Sequence, residues 1–224
     1  MKIPKLYKFK SLEGDSFKYT QDIFVNKRIY LPSIPEFNDP NEGIGEILIE
    51  NEFKGWGNQL EERNRKKIRV FSLTENYKNT LMWSHYASSQ KGICIEFNFE
   101  NHTDNNDAIL RKVEYVSSPK QFQHELLSKY FIFFSYKQKD WEYEQEWRMI
   151  ADSKINYMSL TDESIKSVYL GPRISPENIE WVKFWLKCFN PKNEIPIIPM
   201  TYVSTKYDLV EEQNVGNNIK RIII

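Results

Sequence analysis

Trp141-Glu142-Tyr143-Glu144-Gln145-Glu146-Trp147-Arg148-Met149-Ile150 carries three carboxylates, three aromatic rings and one guanidinium before it turns apolar. Met149-Ile150-Ala151 reads as a strand entering a core, and side chains on a strand alternate between its faces. Glu142, Glu144, Glu146 and Arg148 then share one face, and Tyr143 and Trp147 take the other. Carboxylates side by side repel, and repulsion or burial raises the pKa of one of them. Folding alone does not call for that cost, so the stretch reads as a site. The competing reading is a solvated edge strand on which Glu146 and Arg148 form an ion pair worth little.

Further short runs surround this strand. Apolar or alternating segments predict strands over 6–9, 29–31, 68–73, 93–97, 110–116 and 165–170. The run 195–203 is β-branched but interrupted by two prolines, which predicts an edge strand, and 219–224 predicts a last one. Helical spacing predicts helices over 17–24 and 81–87, the second capped by Asn79 and ended by Gly92 in a positive-φ conformation. Ser118-Pro119 predicts a long helix running through Phe122, Leu126, Leu127, Tyr130 and Phe131 to Phe134. Ser175 and Pro176 open another, with Ile179, Val182, Leu186 and Phe189 on one face. The stretch 59–67 predicts an exposed helix end, and 36–42 a turn. Short strands separated by a few helices give an α+β fold: one domain over 1–224, with a mixed, mainly antiparallel sheet and flanking helices.

Composition narrows the function classes. The 224 residues hold 31 Lys plus Arg against 31 Asp plus Glu, so the net charge is zero. A protein that neutralises nucleic-acid phosphates carries a basic excess. Cys94 and Cys188 lie in apolar runs and read as reduced, buried thiols of an intracellular, cytoplasmic protein. Two cysteines and three scattered histidines (His85, His102, His124) argue against a zinc site, and no metal is expected. No leader and no membrane-spanning run is evident. The 6 Trp, 13 Tyr and 14 Phe supply rings for a core and for a pocket that takes a flat ligand. The abundance of Asn and Lys points to a bacterial or phage genome. Among the histidines His85 has the most site-like setting, between two strands and beside aromatics, as a candidate general base or ligand contact.

Three pieces carry a family likeness: Phe37-Asn38-Asp39-Pro40 with Glu42; Leu81-Met82-Trp83-Ser84-His85-Tyr86-Ala87 with Gly92 and Glu96; and Trp141 through Arg148. Together they resemble the bacterial family catalogued as domain of unknown function 2971, over a core of 6–171 followed by a C-terminal helix and strands in 172–224. A weaker resemblance is to the ADP-ribosyltransferase fold. Tyr7, then Ser84-His85-Tyr86 before Glu96, then Glu144-Gln145-Glu146 follow its order, and the last is similar to the Glu-x-Glu of arginine-modifying members. The chain departs from that pattern in lacking an arginine or histidine on the first strand.

That second resemblance implies an NAD-consuming transferase in a toxin or defence setting, acting on a protein or nucleic-acid acceptor. Glu146 would stabilise the ribosyl cation or position the acceptor, Glu144 would assist, and Tyr86 would stack on nicotinamide. Tyr7, Ser84, Asn38, Asp39 and Arg148 would complete the binding of this nucleotide-like cofactor. Two other classes stay open. A metal-dependent nuclease would use Asn38, Asp39, Glu96, Glu144 or Glu146 as oxygen ligands, against the neutral charge. A non-catalytic sensor or interaction module would use the aromatic pocket to bind a ligand.

Overall fold

The computed structural model describes residues 3–37, 39, 46–48, 66–99, 108–118, 121–123, 134–152, 154–203 and 209–212. In chain order the elements are β1 (Leu6–Lys10), α1 (Asp15–Val25), β2 (Arg28–Tyr30), β3 (Glu46–Leu48), β4 (Ile68–Thr74), α2 (Thr80–Tyr86), β5 (Ile93–Phe97), β6 (Ala108–Lys112) and β7 (Glu114–Val116). They continue with β8 (Gln121–Gln123), β9 (Tyr136–Gln138), β10 (Glu146–Asp152), β11 (Tyr157–Ser159), β12 (Ile165–Leu170), α3 (Pro176–Phe189), β13 (Ile197–Tyr202) and β14 (Leu209–Glu211). Mostly antiparallel strands with three helices among the described residues make this the expected α+β fold. The chain divides into two compact units: Met1–Ile29, Thr74–His102 and Ser159–Ile224 form the first, and Tyr30–Leu73 with Thr103–Met158 form the second.

In the first unit the strands run in the order β14-β13-β12-β5-β1. β5 pairs antiparallel with β1 and with β12, while β12 and β13 are parallel. All five residues of β5 are buried, as a strand covered on both faces requires. Asn79 caps α2 by accepting from the backbone N–H of Leu81 and Met82 at 2.9 and 3.2 Å. Ser175 caps α3 by accepting from Asn178 N–H at 3.2 Å, with Pro176 at its first position. α3 buries Val182, Trp185, Leu186 and Phe189. It packs on α1 through Trp185, whose ring lies 4.9 Å from Phe17 and 6.0 Å from Phe24.

In the second unit the strands lie in the order β4-β10-β6, with β10 and β6 antiparallel and Arg148 opposite Arg111. Ile34, Ile68, Val70, Phe134 and Ile150 form a buried apolar cluster beside them. Two parallel pairs, β3 with β8 and β7 with β9, complete the unit.

Several expectations are corrected. The proposed strand 110–116 is two strands, β6 and β7, separated at Val113, whose N–H donates to the Glu146 carbonyl at 2.9 Å. The helix expected from 118 to 134 is contradicted at its start: Gln121–Gln123 is a strand paired with β3, so pairing overrides the helical spacing there. Positions 124–133 lie outside the described residues. β13 is not an edge strand, because β14 covers its far side. Pro199 is tolerated because the β14 register covers residues 200–202, so among the described residues no partner on that side needs its missing N–H.

Gly92 has no positive φ; Ser88, Ser89 and Gln90 supply the left-handed turn after α2. Glycine at 92 answers to close packing instead, since a Cβ there would meet the Lys10 carbonyl oxygen at 2.1 Å. Cys94 is buried as expected, but Cys188 is exposed on the outer side of α3. The expected strand 219–224, the helix end over 59–65, and Asn38, Pro40, Glu42, His102 and His124 lie outside the described residues. Among the described residues no helix is long and apolar enough to cross a membrane.

Candidate functional site

The second unit holds Glu144, Glu146 and Arg148, and the strand begins later than expected, at Glu146. Lys139–Glu144 is a 3-10 helix, and Gln145, with φ 45° and ψ 51°, turns the chain through the left-handed region into β10. Glu142 is therefore exposed on the helix and does not share a face with Glu146. Glu144 and Glu146 are both buried, at 3% exposure each, and Arg148 is fully buried.

Arg148 donates through Nε and Nη2 to the two oxygens of Glu146, each at 2.8 Å, and through Nη1 to the Phe134 carbonyl at 2.8 Å. Lys137, which the sequence did not single out, bridges the carboxylates, with Nζ 2.5 Å from Glu144 and 3.3 Å from Glu146. Its ammonium also lies 4.8 Å from the centre of the Trp141 ring. Tyr115 closes the group by accepting the Glu146 backbone N–H on its hydroxyl at 2.8 Å.

Repulsion was expected to raise a carboxyl pKa here. Burial does push the Glu146 carboxyl up, but Arg148, then Lys137, then hydrogen bonds from Arg148 and Ser72 outweigh it and hold the group down, at about 2. Glu146 is thus a buried, doubly compensated anion. Glu144, the other buried carboxylate, is held by Lys137. Asp39 is buried in this unit as well.

The other proposed site residues lie in the first unit. Ser84 donates to the Thr80 carbonyl at 2.9 Å, a bond back along its own helix. His85 is exposed, and its ring makes an edge contact with the half-buried Tyr86 at 6.3 Å. Tyr7 sits instead in a group of tyrosines built by the sheet. β1 and β5 place Tyr7 opposite Glu96, and β5 and β12 place Glu96 opposite Ser167. Tyr77 stands 4.8 Å from Tyr7 and 4.3 Å from Tyr169, ring centre to ring centre, and Tyr7 and Tyr169 meet edge to face at 5.9 Å.

At the centre is the Glu96 carboxylate, 6% exposed. Its Oε2 accepts from Ser167 at 2.7 Å and Tyr169 at 3.1 Å. Its Oε1 lies 3.0 Å from the ammonium of Lys5, whose side chain is 75% exposed. Tyr77 donates to Glu211 at 2.7 Å, and the Lys78 ammonium lies 5.4 Å from the Tyr77 ring centre. Burial, followed by the Glu96 charge, pushes the Tyr7 phenol far up. Burial is also the main reason that Tyr169 is pushed up to about 12. These phenols stay protonated as donors and flat surfaces. Sequence reading placed Tyr7 in a cofactor site and Glu96 among metal ligands, and missed Lys5, Tyr77, Ser167 and Tyr169. The Ser167-x-Tyr169 alternation was the available signal. Among the described residues, no three His, Cys, Asp or Glu side chains gather as a metal site.

The segment from α2 to β10 that builds much of both groups has a counterpart among known families. Residues 82–149 match the family model described as Protein of unknown function (DUF2971). The match spans nearly all of the 81–87 motif, then Gly92 and Glu96, and the 141–148 motif, so the likeness read from them is shown over this stretch. No curated protein and no solved structure matches the chain.

Proposed function

We propose that this protein is a ligand-recognition module that receives a positively charged group at the tyrosine-framed Glu96 carboxylate. The observation that carries the reading is the asymmetry at Glu96. One oxygen is held by buried donors, and the other is matched by an exposed, flexible lysine. An ammonium that is largely in water gains little from such a pair, so another cation can take its place. A cation carried on a flat ring would gain further from the face of Tyr77. The nicotinamide ring of NAD is such a cation. The transferase reading asks Glu146 to meet a developing positive charge, and Arg148 and Lys137 already fill that role, which favours recognition over turnover.

The test is calorimetric titration with NAD and with NADH, whose nicotinamide ring is uncharged. Recognition predicts that NAD binds about tenfold tighter, in line with an added ion pair and ring contact worth roughly 1.4 kcal/mol. It predicts that Glu96→Gln removes the preference and that Lys5→Ala tightens NAD binding a few-fold. Equal binding of the two nucleotides, or a preference that survives Glu96→Gln, overturns it. Nicotinamide release by the wild-type protein would restore the transferase reading.

A further inference from the structure

We propose that the outer face of α3 is a dimer interface, on which a second copy of this chain packs with its own α3 running antiparallel. α3 carries two apolar stripes rather than one. Val182, Trp185, Leu186 and Phe189 are buried and hold the helix to its own unit. Trp181 and Phe184 lie on another side and are 41% and 52% exposed. Their rings touch each other at 6.2 Å between centres, and Trp181 reaches back to Phe17 of α1 at 5.9 Å and to Trp185 at 6.4 Å. The core beneath therefore fixes the exposed pair, and little ordering remains to be done on binding. Glu177, Trp181, Phe184 and Cys188 are all exposed and follow one another at steps of four, three and four. That is the seam of a helix that packs lengthwise on another helix. Exposed rings scattered singly need no explanation, but a touching pair in such a seam does.

The charges choose the occupant. On the exposed side of α3 the acids come first, Glu177 and Glu180, and the bases last, Lys183 and Lys187. A second α3 running the other way sets acids against bases at both ends. With Trp181 on the partner's Phe184, position 177 faces position 188, and Glu177 and Glu180 come beside the partner's Lys187 and Lys183. A parallel pair would bring acidic end to acidic end. Glu180 touches Lys183 of its own helix at 2.7 Å, but the two side chains are 71% and 49% exposed, so this pair is worth little and can be exchanged. A pattern that complements itself when reversed is what a twofold contact between identical chains requires. The same pattern argues against an anionic membrane, because glutamates flank the rings and the whole chain has zero net charge. A single pair of helices is a small interface, so association belongs in the micromolar range.

The first measurement is sedimentation equilibrium of the full chain. The mass should rise from 26.9 kDa toward twice that value as the concentration passes through about 10–100 µM. Trp181→Glu, and separately Phe184→Glu at the more exposed ring, should weaken association at least about thirtyfold, the loss of a central aromatic anchor. The second measurement fixes the direction of the helices with Glu177→Cys. Positions 177 and 188 of one helix are roughly 16 Å apart, too far for a bridge within a chain. Between antiparallel copies they face each other, so mild oxidation should give a linked dimer whose peptides join 177 to 188. The wild-type chain, whose two Cys188 side chains would then lie well apart, should give no linked dimer.

A chain that stays monomeric throughout, a dimer that both ring variants leave intact, or bridges that join 177 to 177 or 188 to 188 overturn the proposal. Cosedimentation of the monomer with vesicles of anionic phospholipid, lost in Phe184→Glu, would likewise overturn it and give the rings to a membrane surface.

Discussion

Replacing Glu146 by Gln keeps the side chain's shape and withdraws one charge from a buried group of two carboxylates and two cations. Arg148 would keep the Phe134 carbonyl and one acceptor oxygen at position 146, but an NH2 group would replace the second acceptor and the countercharge would be gone. Removing one member of a buried pair costs about 3–5 kcal/mol, because the other charge stays behind in a poor solvent. The titration of Glu146 gives the same scale. Its carboxyl is held at about 2, against the ordinary glutamate value of 4.5, a difference worth about 3 kcal/mol at neutral pH. For a chain of this size the melting temperature should fall by about 10 °C.

The sign of the pH dependence follows from the depressed folded value. The stabilisation is complete above the unfolded pKa and is lost as pH falls through the folded one. The gap between wild type and Glu146→Gln should therefore be widest at pH 7 and less than about half as large at pH 3. Scanning calorimetry at the two pH values measures both. A loss below about 3 °C at pH 7, or a gap that does not narrow at pH 3, would refute the view of Glu146 as the compensated centre of this network. A stable mutant that has lost NAD consumption would give Glu146 a catalytic role.

Asn79→Ala removes the acceptor for two backbone N–H groups at the start of the seven-residue α2; it should cost about 1 kcal/mol, seen as faster amide exchange at Leu81 and Met82. Gly92→Ala places a methyl against the Lys10 backbone oxygen, which cannot rotate away as a side chain could. A loss of about 3 kcal/mol in denaturant unfolding is expected, and a near-neutral result would show that β1 and β5 separate there easily.

What was legible in the sequence was local. β5, β12 and β4 are short apolar runs that make good strands wherever they pair, and Asn79, Ser175 and Pro176 mark helix starts through bonds within a few residues. The pairing of Glu146 with Arg148 was also within reach, because residues two apart on a strand share a face. The conformation of Gln145 was not. A left-handed non-glycine residue inside a run of good strand and helix formers has no signature of its own, and it removes Glu142 from the site. Lys137 was hidden for a related reason: it reaches Glu144 and Glu146 only once the 3-10 turn has folded the chain back.

The first unit shows what strand pairing adds to such a reading. Tyr7 suggested a cofactor contact and Glu96 suggested a metal ligand, two chemistries with nothing in common. The antiparallel register of β1 and β5 makes them direct neighbours, and the β5–β12 register adds Ser167 and brings Tyr169 within bonding distance. A carboxylate in that company is already served by hydroxyl donors on one oxygen, so a metal ion would have to displace them and lose their hydrogen bonds. The remaining oxygen faces an ammonium on the flexible, exposed Lys5. That difference between two oxygens of one side chain turns a buried acid into a candidate receptor for a cation, and it exists only because three strands far apart in sequence meet in one register.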